Sequence, residues 1–139
     1  MGKKQNETGH KAELIVYEFF HEKKYWTFLI PKGIGGQPFD IIARKDNNNL
    51  IDIWFIDAKH LEADKVSFPF DRIEPNQETS MGYSNVICGI NKNMGFAIVW
   101  DRTQEIYFFS YQEYLEMKNN NQKSVKIENL EVLKNLCVF

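Results

Sequence analysis

The amino-acid sequence predicts an α/β fold in which a mixed β-sheet is flanked by helices. Three observations lead to this prediction. Helical and strand-like patterns follow each other in the order α, β, β, β, α, β, β, α. The chain has 139 residues, a length that fits a single domain over 1–139. Hydrophobic residues make up 43% and charged residues 26% of the chain, values typical of a globular protein and not of a disordered one.

Composition also limits the possible partners. The chain has 17 Lys and Arg against 19 Asp and Glu, so only a local basic patch could support nucleic-acid binding. No run approaches the ~20 apolar residues of a membrane helix, and the polar start, Met1 to His10, does not resemble a signal peptide. Cys88 and Cys137 fit buried thiols, which predicts a location in the reducing cytoplasm.

The first element is a helix from about Thr8 to about Lys24. Its apolar residues recur at helical spacing and form one stripe: Ala12, Ile15, Val16, Phe19 and Phe20. Glu13 projects close to Val16 and Phe20 at the edge of that stripe. We therefore expect the Glu13 carboxylate to reach into a cleft beside the core.

Three strands follow this helix. Residues 25–30 are rich in aromatic and β-branched residues, and the Gly- and Pro-rich residues 31–38 predict a loop. A second strand over 39–44 and a third over 50–59 flank the polar turn Asp46–Asn49. The third strand is apolar at almost every position, which is typical of a strand covered on both faces.

The hairpin made by the second and third strands has a predictable register. Counting outward from a turn centred near Asn48 places Asp40 opposite Asp57, within one residue. Lys59 lies two residues beyond Asp57 and therefore points to the same face of the sheet. Asp52 has the opposite parity in our register, and we interpret it as a structural residue.

The second half of the chain predicts an extended segment, a helix, a second hairpin and two more helices. In order, these are 67–73, a helix from Glu74 to about Ile90, strands 96–100 and 106–110, a helix over 111–118, and a last helix over Asn129–Cys137. The last helix is predicted because Leu130, Leu133 and Leu136 recur at three-residue steps.

Four charged residues from different elements form a candidate catalytic set: Glu13, Asp40, Asp57 and Lys59. Carboxylates that offer only oxygen ligands suit Mg²⁺ or Mn²⁺, and such an ion can activate a water for attack on phosphorus. A lysine beside it can orient that water and stabilise charge on the scissile phosphate. Each residue alone could be a solvated strand-end or helix-surface residue, but the predicted hairpin and the inward-facing position on the first helix together account for all four.

Two short motifs now become informative. Gln37-Pro38-Phe39-Asp40 and Asp57-Ala58-Lys59 resemble the signature of PD-(D/E)xK nucleases, with Glu13 on the preceding helix as in resolvase-like members. Further segments resemble RecU-type Holliday junction resolvases, which include penicillin-binding-protein-related factor A. These segments are Ser67-Phe68-Pro69-Phe70, Asn76-Gln77, Gly95–Val99 and Ile106–Phe109. The resemblance covers about Gln37 to Met117.

The resemblance implies a restriction-endonuclease-like fold and a Mg²⁺-dependent endonuclease, with Mn²⁺ as a substitute, that cuts branched DNA as a homodimer. Asp40 and Asp57 would be metal ligands, and Glu13 would complete the metal site directly or through water. Lys59 would assist the attacking water, and Gln77 matches the glutamine of the family's His-Gln pair.

The sequence departs from the RecU pattern at three places. Asn76 stands where the family has His, and Asp57 replaces the more frequent Glu. Only the short loop after residue 30 precedes Asp40, where RecU-type proteins insert a long basic stalk. The stalk helps the family engage the centre of the junction, so its absence bears on junction specificity and not on phosphodiester cleavage.

Cations around the site are candidates for contacts with DNA phosphates, and solvated surface lysines are the alternative. The candidates are Lys11, Lys32, Lys65 and Arg72. We interpret Trp26, Trp54 and Trp100 as core residues, with stacking on DNA bases as the alternative. His60 fits a solvated residue at the end of a strand.

Three hypotheses about function follow from the sequence. The first is a junction-specific endonuclease in recombination and repair. The second is a nuclease of the same superfamily that nicks or restricts ordinary duplex DNA. The third is a nuclease-like fold that only binds DNA or protein, against which the clustered carboxylates argue, because burying them together without a metal is costly.

Overall fold

The computed structural model describes residues 3–31, 39–88 and 93–133. Three helices are present in these ranges: α1 over Lys3–Glu22, α2 over Pro75–Cys88 and α3 over Tyr111–Asn119. The strands are β1 Trp26–Leu29, β2 Ile41–Asn47, β3 Leu50–Leu61, β4 Ser67–Pro69, β5 Met94–Trp100, β6 Glu105–Ser110, β7 Ser124–Lys126 and β8 Glu131–Val132. Short 3₁₀ helices cover Phe70–Arg72 and Ile127–Asn129.

Six strands form one mixed sheet in the order β1-β2-β3-β5-β6-β8, and β4 pairs with β7 in a small second sheet. All neighbours in the large sheet are antiparallel except β3 and β5. That parallel pair needs a crossover connection, and β4 and α2 lie in the segment that provides it. No described helix is both long and apolar enough to span a lipid bilayer.

The large sheet separates two clusters of buried side chains. One cluster joins Ala12, Val16 and Phe20 of α1 to Ile56 and Ala58 of β3. The other cluster lies against α2 and α3 and contains Leu61, Phe68, Met81, Phe96, Phe109 and Tyr114. Because successive side chains of a strand alternate between faces, Asp57 and Lys59 point away from α1 and towards the side of the second cluster.

The register of the β2–β3 hairpin is the one that the sequence predicts. Ile41 pairs with Ile56 and Asn47 with Leu50, so continuing the ladder by one residue sets Asp40 opposite Asp57. Asn48 takes the left-handed turn conformation with φ 53°, which Asn tolerates better than most residues.

The extended segment predicted over 67–73 is only partly a strand, because β4 ends at Pro69 and a 3₁₀ helix follows. α1 begins at Lys3, five residues before the predicted start at Thr8. Most of the predicted loop, residues 32–38, lies outside the described residues, as do 89–92 after α2.

The last predicted helix, Asn129–Cys137, is wrong in its described part. A 3₁₀ turn ends at Asn129, and β8 then pairs with β6. Leu130 packs against one buried cluster and Leu133 belongs to the other. A helix would place both leucines on one face, whereas an extended chain lets them enter different clusters. Residues 134–139 lie outside the described ranges.

Candidate active site

Asp40 and Asp57 lie side by side where β2 and β3 meet. The backbone N–H of Asp40 donates a hydrogen bond to the Ile56 carbonyl at 2.8 Å, which continues the ladder to Asp40. The Asp40 carboxylate accepts a hydrogen bond from the backbone N–H of Ala58 at 2.9 Å. Asp40 is 9% exposed and Asp57 1%. The hairpin therefore brings two carboxylates together in a poorly solvated place.

Burial raises the pKa of Asp57 well above its usual range. The Lys59 charge opposes this shift, while the charge of Asp40 and its hydrogen bond with Asp57 raise the pKa further. Among the described residues, no group donates a hydrogen bond to Asp57 Oδ2. The Lys59 ammonium stands 3.5 Å from this oxygen. A proton shared with Asp40, or a second cation besides the Lys59 ammonium, would therefore stabilise the Asp57 carboxylate.

Lys59 is held between Asp57 and the start of α2. Its Nζ donates to Gln77 Oε1 at 3.0 Å. The same Gln77 oxygen accepts from the backbone N–H of Glu74 at 3.2 Å, in the manner of a capping interaction at a helix start. The Lys59 side chain is only 16% exposed. Gln77 therefore links the position of the ammonium to the first turn of α2.

A second set of contacts anchors α2 to α3. Glu78 accepts a hydrogen bond from the Tyr114 hydroxyl at 3.0 Å, and Lys118 Nζ lies 2.7 Å from its other oxygen. Burial and the bond to Glu78 raise the pKa of Tyr114 to about 12. Sequence reasoning did not identify these residues, because nothing in the local pattern indicates which residues of two distant helices meet.

Glu13 is buried in α1, at 2% exposure, and His10 Nδ1 lies 4.0 Å from its Oε1. The helix packs against the face of β3 that carries Ile56 and Ala58, on either side of Asp57 in sequence. Glu13 therefore approaches this part of β3 from the face opposite to that of Asp57 and Lys59.

The described residues contain no group of three His, Cys, Asp or Glu side chains arranged to hold a metal ion. The structure instead brings two carboxylates together, Asp40 and Asp57. Mg²⁺ in proteins is often bound by one or two carboxylates and keeps several waters, which leaves room for substrate phosphate oxygens. The donor chemistry of this pair fits such an ion, and Glu13 could contribute through a bound water.

The candidate phosphate-binding cations occupy different surroundings. Lys11 is exposed on α1 and borders a groove between that helix and the β6–β8 edge. Lys65 is exposed after β3, and its carbonyl accepts a hydrogen bond from Trp100 Nε1 at 2.9 Å. The Arg72 guanidinium lies over the Phe68 ring at 5.2 Å. Lys32 is outside the described residues.

Asp52, His60 and the tryptophans lie in surroundings that bear on their predicted roles. Asp52 is structural: its carboxylate accepts hydrogen bonds from Tyr25, from Trp54 Nε1 at 3.0 Å and from Asn93 Nδ2 at 2.9 Å. His60 is not a solvated residue, because its side chain is 13% exposed and its Nε2 lies 2.7 Å from Asp101. Trp54 is a core residue at 5% exposure, but the same interpretation is wrong for Trp26, which is 62% exposed.

The solved structures that resemble this chain include the following two. A nuclease from a fusselovirus has a TM-score of 0.51 at 11% sequence identity, with 94% of this chain and 86% of that chain covered. Hjc, a Holliday junction resolvase from the archaeal hyperthermophile Archaeoglobus fulgidus, has a TM-score of 0.48 at 16% identity, covering 75% of this chain and 73% of that one. No protein-family model and no curated protein matches the sequence. The likeness to the viral nuclease, together with the mixed six-stranded sheet and its helices, confirms the predicted restriction-endonuclease-like α/β fold.

Proposed function

We propose that this chain is a metal-dependent endonuclease of the PD-(D/E)xK superfamily that hydrolyses phosphodiester bonds in branched DNA. One observation carries the proposal. Two carboxylates, Asp40 and Asp57, lie together at low exposure, and an ammonium group stands 3.5 Å from one of them. Buried like charges are costly unless a cation compensates them, so the arrangement is expected of a site that binds one.

Asp40 and Asp57 would hold Mg²⁺ or Mn²⁺, with Glu13 contributing through a bound water. When bound, such an ion polarises a phosphoryl oxygen and makes a bound water more acidic. Lys59 would orient the attacking water and stabilise the charge that develops on the phosphate. Gln77 accepts a hydrogen bond from Lys59 at 3.0 Å and would keep its ammonium directed at the site.

The finer parts of the proposal rest on the sequence resemblance to RecU-type resolvases. These parts are the preference for four-way junctions, a homodimer that makes paired cuts, a role in recombination and repair, and a cytoplasmic location. Lys11, Lys32, Lys65 and Arg72 are proposed to contact DNA phosphates.

A nuclease of the same superfamily that acts on continuous duplex DNA is the second candidate. The short connection between β1 and β2 favours it, because only residues 30–40 separate the two strands and RecU-type proteins carry their stalk at the corresponding place. A fold that only binds DNA is less well supported, since binding alone does not require the buried pair of acids.

Cleavage of a four-way junction and of linear duplexes of the same sequence tests the proposal. With Mg²⁺ we expect the parent protein to cut the junction, and with EDTA to cut neither substrate. Asp40→Asn and Asp57→Asn should each lower the rate about 100-fold or more, because each removes an anionic ligand. Asp46→Asn is the matched control, since Asp46 is exposed and pairs with Arg44.

Each contrary result has a distinct meaning. Equal cutting of both substrates would favour the duplex nuclease. Unchanged cutting by both site variants would remove the assignment of the site, and a parent protein that binds DNA without cutting it under any divalent ion would leave only the binding function.

A further inference from the structure

Two aromatic rings lie exposed on β1, at one edge of the large sheet. Trp26 is 62% exposed and Phe28 45%. Their centroids are 6.0 Å apart and the ring planes differ by only 4°. We call these two side chains the β1 aromatic surface. Large aromatic residues at this exposure on neighbouring positions of one face indicate a place where a partner binds.

The β1 aromatic surface lies on the same face of the sheet as Asp40. On the other face, Leu29 of β1 and Ile41 and Ala43 of β2 belong to or pack against the cluster that includes α1. Since side chains alternate along a strand, Trp26, Phe28 and Asp40 point to the opposite face.

Strand register gives the distance between this surface and the candidate active site. Phe28 pairs with Ile42 and Trp26 pairs with Arg44. Ile42 and Arg44 follow Asp40 by two and four residues along β2. At about 3.3 Å per residue, the rings lie roughly 7 and 13 Å along the sheet from Asp40. Those separations correspond to roughly two and four base steps of a DNA strand.

The chemistry of the surface suits bases better than phosphates. Its neighbouring cation, Arg44, donates from Nε and from a terminal nitrogen to the two oxygens of Asp46, at 2.8 and 3.2 Å. The Arg44 charge is therefore largely compensated, and what the surface offers is flat aromatic rings. Base stacking on aromatic side chains is the common way in which proteins hold unpaired nucleotides, whereas the bases of an intact duplex already stack on each other.

We propose that Trp26 and Phe28 stack with unpaired bases of the DNA strand whose phosphate lies at Asp40 and Asp57. This inference rests on the proposed function for the path of the DNA. The consequence is a preference for DNA that has unpaired nucleotides beside the cut position, such as a branch point or a splayed end, over continuous duplex.

Binding measured without cleavage tests the inference. Fluorescence anisotropy in EDTA would compare a splayed duplex with a continuous duplex of the same length and sequence. Trp26→Ala and Phe28→Ala should each weaken binding of the splayed DNA roughly 5- to 150-fold, and change binding of the continuous duplex by less than about twofold. Trp26→Phe should retain most of the affinity, because a ring remains. Tyr83→Ala is the matched control, since Tyr83 is a 70% exposed aromatic residue on α2.

Two results would overturn the inference. The first is that both alanine variants, folded by circular dichroism, keep the affinity of the parent for splayed DNA. The second is that the variants dissociate a dimer in sedimentation equilibrium while their preference for splayed DNA is unchanged, which would assign the surface to contact with a second copy of the chain. If the parent does not cut DNA, but both alanine variants bind splayed DNA more weakly than the parent does, the result would contradict the proposed function alone.

Discussion

The acid–base behaviour of Asp57 makes a prediction about stability. Burial and the neighbouring Asp40 raise the pKa of Asp57 in the folded protein, while the unfolded chain should have the ordinary value of about 3.9. Between these two values the folded state binds more protons than the unfolded state. The free energy of unfolding of the parent should therefore fall as the pH rises through this window.

The magnitude follows from linkage. One proton bound by the folded state and not by the unfolded state gives a slope of at most about 1.4 kcal/mol per pH unit. Asn at position 57 has no proton to lose, so Asp57→Asn should lack this component. The difference in unfolding free energy between Asp57→Asn and the parent should grow in favour of the variant as the pH rises above about 4, and become constant above the folded-state pKa. The variant would thus gain stability relative to the parent as the pH rises towards neutral, and it would be less active.

Urea unfolding at half-unit steps from pH 4 to 8, in EDTA, measures this difference. Asp46→Asn provides a control of opposite sign. A hydrogen bond from Arg44 lowers the pKa of Asp46. The ionised Asp46 carboxylate therefore stabilises the folded protein above the ordinary aspartate pKa, and this stabilisation is lost as the pH falls. If the free energy of unfolding changes with pH in the same way for Asp57→Asn and the parent, ionised Asp57 does not destabilise the folded state, and the reasoning is refuted.

Three further predictions concern other contacts. Burial and the hydrogen bond to Glu78 raise the pKa of Tyr114 to about 12, so the stability of the parent should fall as the pH rises from about 10 towards that value, and that of Tyr114→Phe should fall less steeply; alkaline unfolding followed by circular dichroism checks this. Gln77→Ala removes the acceptor for Lys59 and should cost about 2 kcal/mol in urea unfolding, whereas Gln77→Glu keeps an acceptor and should cost less than half of that; equal losses would contradict the assigned contact. Gly95→Ala would put a methyl group 2.3 Å from the Phe109 carbonyl oxygen and should cost about 2–3 kcal/mol in thermal unfolding; a variant as stable as the parent would show that β5 and β6 are not this close.

The part of the fold that could be predicted from sequence is the part set by local patterns. The turn at Asp46–Asn49 and the two apolar runs around it fix the hairpin, and strand alternation then places Asp40, Asp57 and Lys59 on one face. The contact of Gln77 with Lys59 could not be derived from spacing, and only the family resemblance suggested that Gln77 faces the site.

The features that sequence reasoning missed depend on contacts between distant segments. The leucines near the end of the chain have helical spacing, yet β6 offers an unpaired edge that the extended segment Glu131–Val132 fills. His60 pairs with Asp101 in the turn after β5, a partner 41 residues away in sequence. Trp26 has a large apolar side chain of the kind that usually lies in a core, but it lies on an edge strand and on the face that α1 does not cover.

The most direct test of the account is a titration of the protein with Mn²⁺ or Mg²⁺ by calorimetry in the absence of DNA. The account predicts about one ion per chain for the parent and for Asp46→Asn, binding at least about tenfold weaker for Asp40→Asn and for Asp57→Asn, and a smaller loss for Glu13→Gln. Equal affinity of the parent and of both site variants would contradict the claim that Asp40 and Asp57 hold a divalent cation.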